Sequence, residues 1–288
     1  MWFKVNDTIV AISTALGEGA ISIIRVSGDD AIKIINPLFD GKDLEKASSH
    51  TINYGHIVYN GEIIDEVLLS IMKAPKTYTK EDVIEINTHG SIAVVNKIME
   101  ILLLEGCRLA EPGEFTKRAF LNGRIDLTES EGVMDLINSE TELTRKMAIN
   151  ELSGNVSRLI TDAREDIISL ISNIEVNIDY PEYEDIEVVT INKIREKVRE
   201  IKEKLLKTLK LSEDGKILKD GIKTVILGKP NVGKSSLLNA LLEEEKAIVT
   251  DVKGTTRDIV EGSILVGGVK LNLIDTAGVR KSDDIVEK

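Results

Sequence analysis

Cysteine occurs once in the 288 residues, at Cys107. One thiol excludes an internal disulfide framework and a multi-cysteine zinc site, and it suits a reducing compartment. His50, His56 and His89 are the three histidines, and they show no metal-ligand spacing. Aromatic residues make up 3% of the chain against a hydrophobic total of 42%, so any core is built mainly from Ile, Val and Leu. No stretch approaches the ~18 unbroken apolar residues of a membrane helix. The start, Met1 to Asp7, has neither an apolar h-region nor a cleavage pattern. Positive charge is short: 37 Lys and Arg stand against 49 Asp and Glu, a net charge of −12. That balance excludes a generally basic nucleic-acid coat but leaves room for a local basic patch. The length corresponds to two or three domains at ~100–200 residues each. The expectation is a soluble, cytoplasmic protein.

Three compositional zones follow one another, with no repeat of fixed period. To about residue 120, β-rich runs alternate with turn signals. Ile21–Val26, Glu62–Met72 and Asp82–Asn87 read as strands, and Ser91–Leu104 as an amphipathic helix closed by Gly106. From about Leu127 to Leu211 Gly and Pro almost vanish. Apolar residues recur there at helical spacing, as in Val133, Leu136, Ile137 and in Ile167, Leu170, Ile171, Ile174. The segment Tyr180–Asp185 interrupts this pattern before a Lys/Glu-rich helix over Ile191–Leu211, whose charges read as a solvated face. After Asp214-Gly215, Lys223–Leu227 is a short β-branched run of the kind buried in a parallel sheet. Ile259–Val266 and Val269–Ile274 flank Gly267-Gly268, a hairpin signal. The expected domains are 1–122 (α/β), 123–215 (all-α) and 216–288 (the first part of a second α/β domain).

The strongest motif is Gly228-Lys229-Pro230-Asn231-Val232-Gly233-Lys234-Ser235, a full G-x-x-x-x-G-K-[ST] match between a predicted strand and a helix starting at Ser236. Its glycines let backbone N–H groups turn around phosphate oxygens, and the helix N-terminus adds partial positive charge. Lys234 reaches the β/γ-phosphates in this chemistry, and the Ser235 hydroxyl ligates Mg²⁺. Two downstream segments suit the same site. In Gly254-Thr255-Thr256-Arg257-Asp258 a threonine hydroxyl is available for the metal shell. In Asp275-Thr276-Ala277-Gly278 an acid stands ready to hold Mg²⁺ through water, and a glycine N–H faces the γ-phosphate.

G-T-T-R-D and D-T-A-G together resemble the switch regions of translation-factor-related GTPases, among them the Era and Der type. The first 215 residues narrow the resemblance. Asp7–Ala11, Gly19–Gly28, Tyr78–Glu85, Pro112–Gly123 and Asp126-Leu127 are similar to the MnmE (TrmE) family of tRNA-modifying GTPases. The resemblance covers the whole chain. It implies an α/β N-terminal folate-binding-type domain that dimerises, an all-α helical domain, and the first half of a P-loop α/β G domain inserted into that helical domain. It further implies GTP hydrolysis in the service of an aminomethyl-type group placed on C5 of the wobble uridine of certain tRNAs, jointly with an FAD-dependent partner of the MnmG (GidA) type.

On individual residues, the resemblance implies that Asn231, Val232, Gly233, Lys234, Ser235, Ser236, Thr250, Thr255, Thr256, Asp275, Thr276, Ala277 and Gly278 hold GTP and its metals. Ser235 and Thr256 would ligate Mg²⁺. Asn231, Thr255 and main-chain carbonyls from Thr250 to Val252 would bind K⁺, whose charge beside the β/γ bridge does what an arginine finger does elsewhere. By itself Asn231 reads equally as a loop residue satisfying its neighbours. Val279 follows D-T-A-G and cannot orient a water, a role the resemblance gives to Glu287; without the family Glu287 is a solvated charge. Arg25, Glu85 and Arg124 would contact a 5-formyl-tetrahydrofolate-type ligand, an arginine suiting a carboxylate and a carboxylate suiting pterin N–H donors. Outside the family these three read as surface ion pairs or caps.

The family's N-K-x-D and S-A-K base-reading motifs do not occur after the phosphate loop. Guanine selectivity therefore rests on resemblance, and the chain reads as a shortened member. Two other readings stay open: a folate-binding dimerisation module with a vestigial nucleotide site, and a ribosome-assembly GTPase of the Era/Der type.

Overall fold

A computed structural model describes residues 7–15, 17, 19–180, 191–225, 247–248 and 260–274. The chain divides into two compact units, 1–130 and 131–288.

The first unit is one sheet with helices. Its strands are β1 (Ile9–Ile12), β2 (Gly19–Ser27), β3 (Phe39–Asp40), β4 (Thr51–Tyr59), β5 (Glu62–Met72), β6 (Val83–Gly90) and β7 (Arg108–Leu109). They lie in the order β3-β4-β5-β6-β2-β1-β7, antiparallel except for the parallel β1/β7 edge. Strand alternation sorts the side chains. Ile24 and Val26 of β2, Leu69 and Ile71 of β5, and Ile84 and Ile86 of β6 are buried. They form a core with Ala31 and Ile35 of α1 (Ala31–Ile35) and with Val95, Ile98, Ile101 and Leu102 of α2 (Ile92–Leu104). The intervening residues, Arg25, Leu68, Ser70, Glu85 and Asn87, occupy the other face in register: Arg25 opposite Glu85, Ser70 opposite Glu85, and Leu68 opposite Asn87.

A third helix, α3 (Glu114–Leu121), follows β7. Gly28 closes β2 at φ +148°, and a Cβ there would stand 2.7 Å from the Thr8 Cα, so β1 and the turn after β2 approach closely only because this residue is glycine.

The sequence signals for β2, β5, β6 and α2 correspond to elements within three residues of the expected bounds. β4 carried no such signal: its run Thr51–Tyr59 alternates buried Asn53, Gly55 and Ile57 with exposed Ile52 and Tyr54, and a Gly and an Asn on the inner face mask the period.

The second unit is helical and then β. α4 (Leu127–Ile137) crosses the division between units. α5 (Glu142–Leu152) starts with Thr141 and Thr144 in a reciprocal capping box. α6 (Asn155–Asp179) and α7 (Ile191–Asp220) are 25 and 30 residues long. α7 runs past the expected end at Leu211, through Asp214 and Gly215, and stops at Gly221, where φ is +77°. Between α6 and α7 lies an apolar groove of about 810 Å³, lined among others by Ile160, Ile167, Ile171, Ile201 and Leu205.

Four strands follow: β8 (Ile222–Val225), β9 (Ala247–Ile248), β10 (Val260–Val266) and β11 (Val269–Ile274), in the order β8-β11-β10-β9. β10 and β11 form the expected hairpin, with Gly267 and Gly268 both at positive φ as a type I′ turn needs. β8 and β11 are parallel, with Val225 paired to Ile274. Their starts are tied to the helices. Lys219 pairs with Asp135, Lys270 with Glu140 at 2.7 Å, and the Asn272 side chain donates to the Asp220 carbonyl at 2.8 Å.

Candidate functional site

Arg25 and Glu85 face each other across β2 and β6 because the strands pair them directly. The Arg25 Nε donates to Glu85 Oε1 at 2.8 Å, and Nη2 stands 2.7 Å from the same oxygen as an ion-pair contact. Oε2 of Glu85 has no protein partner among the described residues. The side chains are 31% and 22% exposed, so the pair is neither sealed in the core nor loose on the surface. This leaves a carboxylate oxygen and part of a guanidinium fork open to a ligand with both donors and acceptors.

The guanidinium of Arg25 lies 5.7 Å from the ring centre of Phe115 on α3. The next residue, Thr116, shares a 2.9 Å hydrogen bond with the Tyr78 hydroxyl. Tyr78 in turn carries Arg124 over its ring at 4.9 Å. The three predicted ligand residues are thus linked through one side of α3: Arg25 with Glu85 at one end, exposed Arg124 at the other, and Phe115, Thr116 and Tyr78 between them. Asn122 donates to the Thr79 carbonyl at 2.6 Å and Lys80 to the Gly123 carbonyl at 2.9 Å, which fixes the turn bearing Arg124 against the loop bearing Tyr78.

A buried ionic network holds α3 in that position. Arg118 reaches Glu81 at 3.1 Å and Glu114 at 3.2 Å, and also pairs with Asp7. Arg108 pairs with Asp7 and Glu114. Ser27 donates to Glu81 Oε2 at 2.7 Å and shares a 2.7 Å bond with Thr79. The Arg118, Glu81 and Glu114 side chains are 7%, 9% and 5% exposed. The Arg108 hydrogen bond, with help from Arg118, holds the Asp7 carboxyl below its ordinary range despite partial burial. Burial pushes Glu114 upward, but hydrogen bonds from Arg108, the Glu111 N–H and Arg118 outweigh it and leave the carboxyl low.

Asp7, Ser27, Thr79, Glu81, Glu114 and Arg118 fall within the family-like segments without a role of their own, and Arg108 falls outside all of those segments. The available signal was the placing of Arg118 four residues after Glu114 on one helix face, a spacing that brings the two side chains together.

Cys107 is buried, and burial alone pushes its thiol up to about 12, so it is a packing residue. His89 is held above its ordinary value by a 2.7 Å bond to Asp65. No group of three or more His, Cys, Asp or Glu side chains suited to a metal occurs among the described residues. Nor is any described helix long and apolar enough to cross a membrane.

The predicted phosphate and metal residues, Asn231 to Ser236, Thr250, Val252, Thr255, Thr256, Asp275 to Gly278 and Glu287, lie outside the described residues. The strands that lead to them do not. β8 ends at Val225, three residues before Gly228, and β11 ends at Ile274, one residue before Asp275. These two strand ends are neighbours in a parallel pair, so the chain enters both motif segments from the same end of the sheet. Ligand binding outside the carboxyl ends of parallel strands is the general arrangement in open α/β sheets.

Two family models account for most of the chain. One, described as the GTP-binding protein TrmE N-terminus, matches residues 8–124; the other, the MnmE helical domain, matches 127–286. The tRNA modification GTPase MnmE of Streptococcus thermophilus is 60% identical over 285 residues, covering 99% of this chain and 62% of that protein. Proteins of the same name from Ligilactobacillus salivarius and Bacillus thuringiensis are 58% and 56% identical over 284 residues. The chain spans about 62% of the length of these curated relatives.

Proposed function

The chain belongs to the MnmE (TrmE) family, and from that premise we propose that it is a GTP-hydrolysing tRNA modification protein. The observation that supports this reading is the parallel register of β8 and β11, whose carboxyl ends lie side by side just before the G-x-x-x-x-G-K-S and D-T-A-G segments begin in the sequence. Lys234 serves the β/γ-phosphates, Ser235 and Thr256 the Mg²⁺, and Asn231 and Thr255 with the Thr250–Val252 carbonyls the K⁺. Glu287 orients the attacking water. The product is an aminomethyl-type group on C5 of a wobble uridine, made in the cytoplasm with an FAD-dependent partner of the MnmG type. Region 1–122 binds folate and dimerises, region 123–215 is the helical connector, and region 216–288 carries the phosphate half of the G domain.

GTP turnover by the chain in KCl and in NaCl tests the nucleotide part. Hydrolysis is expected in both, and much faster in K⁺, because K⁺ supplies charge at the β/γ bridge where no arginine finger is evident. Equal rates remove the cation mechanism, and no hydrolysis in either salt removes the GTPase reading for this chain.

The folate part rests on the half-exposed Arg25–Glu85 pair and the aromatic contacts leading from it to Arg124. Calorimetric titration with 5-formyl-tetrahydrofolate should saturate, and Arg25→Ala should weaken binding about tenfold or more, the value of one charge-assisted hydrogen bond. Indistinguishable isotherms would take Arg25 out of the site.

A further inference from the structure

α7 has three faces at 100° per residue. Ile194, Val198, Ile201, Leu205 and Leu209 form an apolar face, most of it along the groove with α6. A second face carries Lys197 and Lys204, both paired with Asp166 of α6, at 3.9 and 3.4 Å. The third carries Arg195, Arg199, Lys202 and Lys210 within an arc of about 80°, with Leu206 between them. All four cations are exposed, and none makes an ion pair among the described residues. Glu196 and Glu203 border this face on one side, and Glu213 falls within its arc one turn beyond Lys210, which bounds the stripe at that end. The helix as a whole holds ten Lys and Arg against six Asp and Glu, a net +4 inside a chain of −12. A solvated Lys/Glu helix pairs its charges at i,i+4; here Arg199 stands four residues before Glu203 and Lys210 four before Asp214, yet it is Lys197 and Lys204 on the α6 side that form ion pairs, and the four stripe cations form none among the described residues.

We propose that this stripe is where the phosphate backbone of an RNA stem docks, a step that rests on the reading of the chain as a tRNA modification protein. At 1.5 Å per residue, the four cations stretch over about 22 Å of a straight helix, with about 6 Å between Arg195 and Arg199. Such a row follows a line of phosphates. It touches no base edge, so it contributes affinity and orientation and leaves sequence choice to other contacts. The acidic remainder of the chain repels RNA, which confines binding to the stripe.

The test is fluorescence anisotropy of labelled unfractionated tRNA with the 288-residue chain across a KCl series. The variant R195Q/R199Q/K202Q/K210Q is compared with K33Q/K42Q/K46Q/K76Q, which loses the same charge from the N-terminal unit; circular dichroism checks that both keep their helix content. The stripe variant should bind more than about a hundredfold more weakly near 0.1 M salt, with a salt slope lower by about three to four. The control should stay close to the parent protein. A stripe variant that behaves like the control overturns the proposal and leaves the tRNA reading standing. If the parent protein binds no tRNA, both fall. Stripe-dependent binding to phosphatidylserine-containing vesicles without tRNA binding assigns the surface to a membrane and overturns the proposal.

Discussion

Replacing Arg118 with Ala is expected to lower the unfolding free energy of the N-terminal unit by about 3–5 kcal/mol. Arg118 is 7% exposed, and it is the cation on which Glu81 and Glu114 both converge. Its removal leaves the buried Glu81 carboxylate with the Ser27 hydroxyl and no cation, while Arg108 alone must serve both Asp7 and Glu114. Urea unfolding followed by a probe in the first unit measures the loss; a shift below about 1 kcal/mol would show that the network is dispensable.

The same titration repeated over pH reads the carboxylates. Asp7 and Glu114 have native pKa values below their ordinary ones, Asp7 chiefly through Arg108. A group of that kind binds its proton more weakly when folded. Its stabilisation is therefore present above the unfolded value near 4 and is lost as pH falls through the lower native value. The gap between the parent protein and Arg118→Ala should narrow on acidification below about pH 4. Because α3 also carries Phe115 and Thr116, the variant should weaken folate binding without touching the ligand, through displacement of the helix that joins Arg25 to Arg124.

β2, β5 and β6 were legible because each is a run rich in β-branched and aliphatic residues bounded by turn signals, and α2 because its helical apolar spacing is closed by Gly106. The Arg25–Glu85 contact was not legible from spacing, since 60 residues separate the pair and only strand register brings them together. The resemblance singled out both residues as ligand contacts without pairing them. The buried network was invisible for a related reason. Its members come from Asp7, the 79–81 loop, β7 and α3, and charged residues in a chain with 49 acids read as surface until burial is known. The end of α7 was misplaced because Gly215 looked like a stop. A glycine inside a helix costs only ~1 kcal/mol against Ala, and thirty residues of otherwise good helix formers absorb it.

Lys234→Ala is expected to reduce GTP turnover by about a hundredfold to a thousandfold, the loss that follows removal of one preorganised donor from a developing negative charge. The argument begins at β8. Its four residues pair in parallel with β11, so the backbone leaving Val225 toward Gly228 and the backbone leaving Ile274 toward Asp275 start side by side. In the G-x-x-x-x-G-K-[ST] arrangement main-chain N–H groups cradle the phosphates, and the lysine adds a full charge at the β/γ position. That charge is needed most in the transition state, when negative charge builds up on the bridging and γ-oxygens. The variant should therefore lose turnover by a larger factor than it loses affinity for GDP. Lys234→Arg should rescue poorly, because a planar fork does not occupy the position of a compact ammonium. Single-turnover hydrolysis with saturating GTP, set beside a GDP binding isotherm, separates the two losses. Unchanged turnover in Lys234→Ala would place hydrolysis away from this segment. Equal losses in turnover and GDP affinity would make Lys234 a binding residue with no special hold on the transition state.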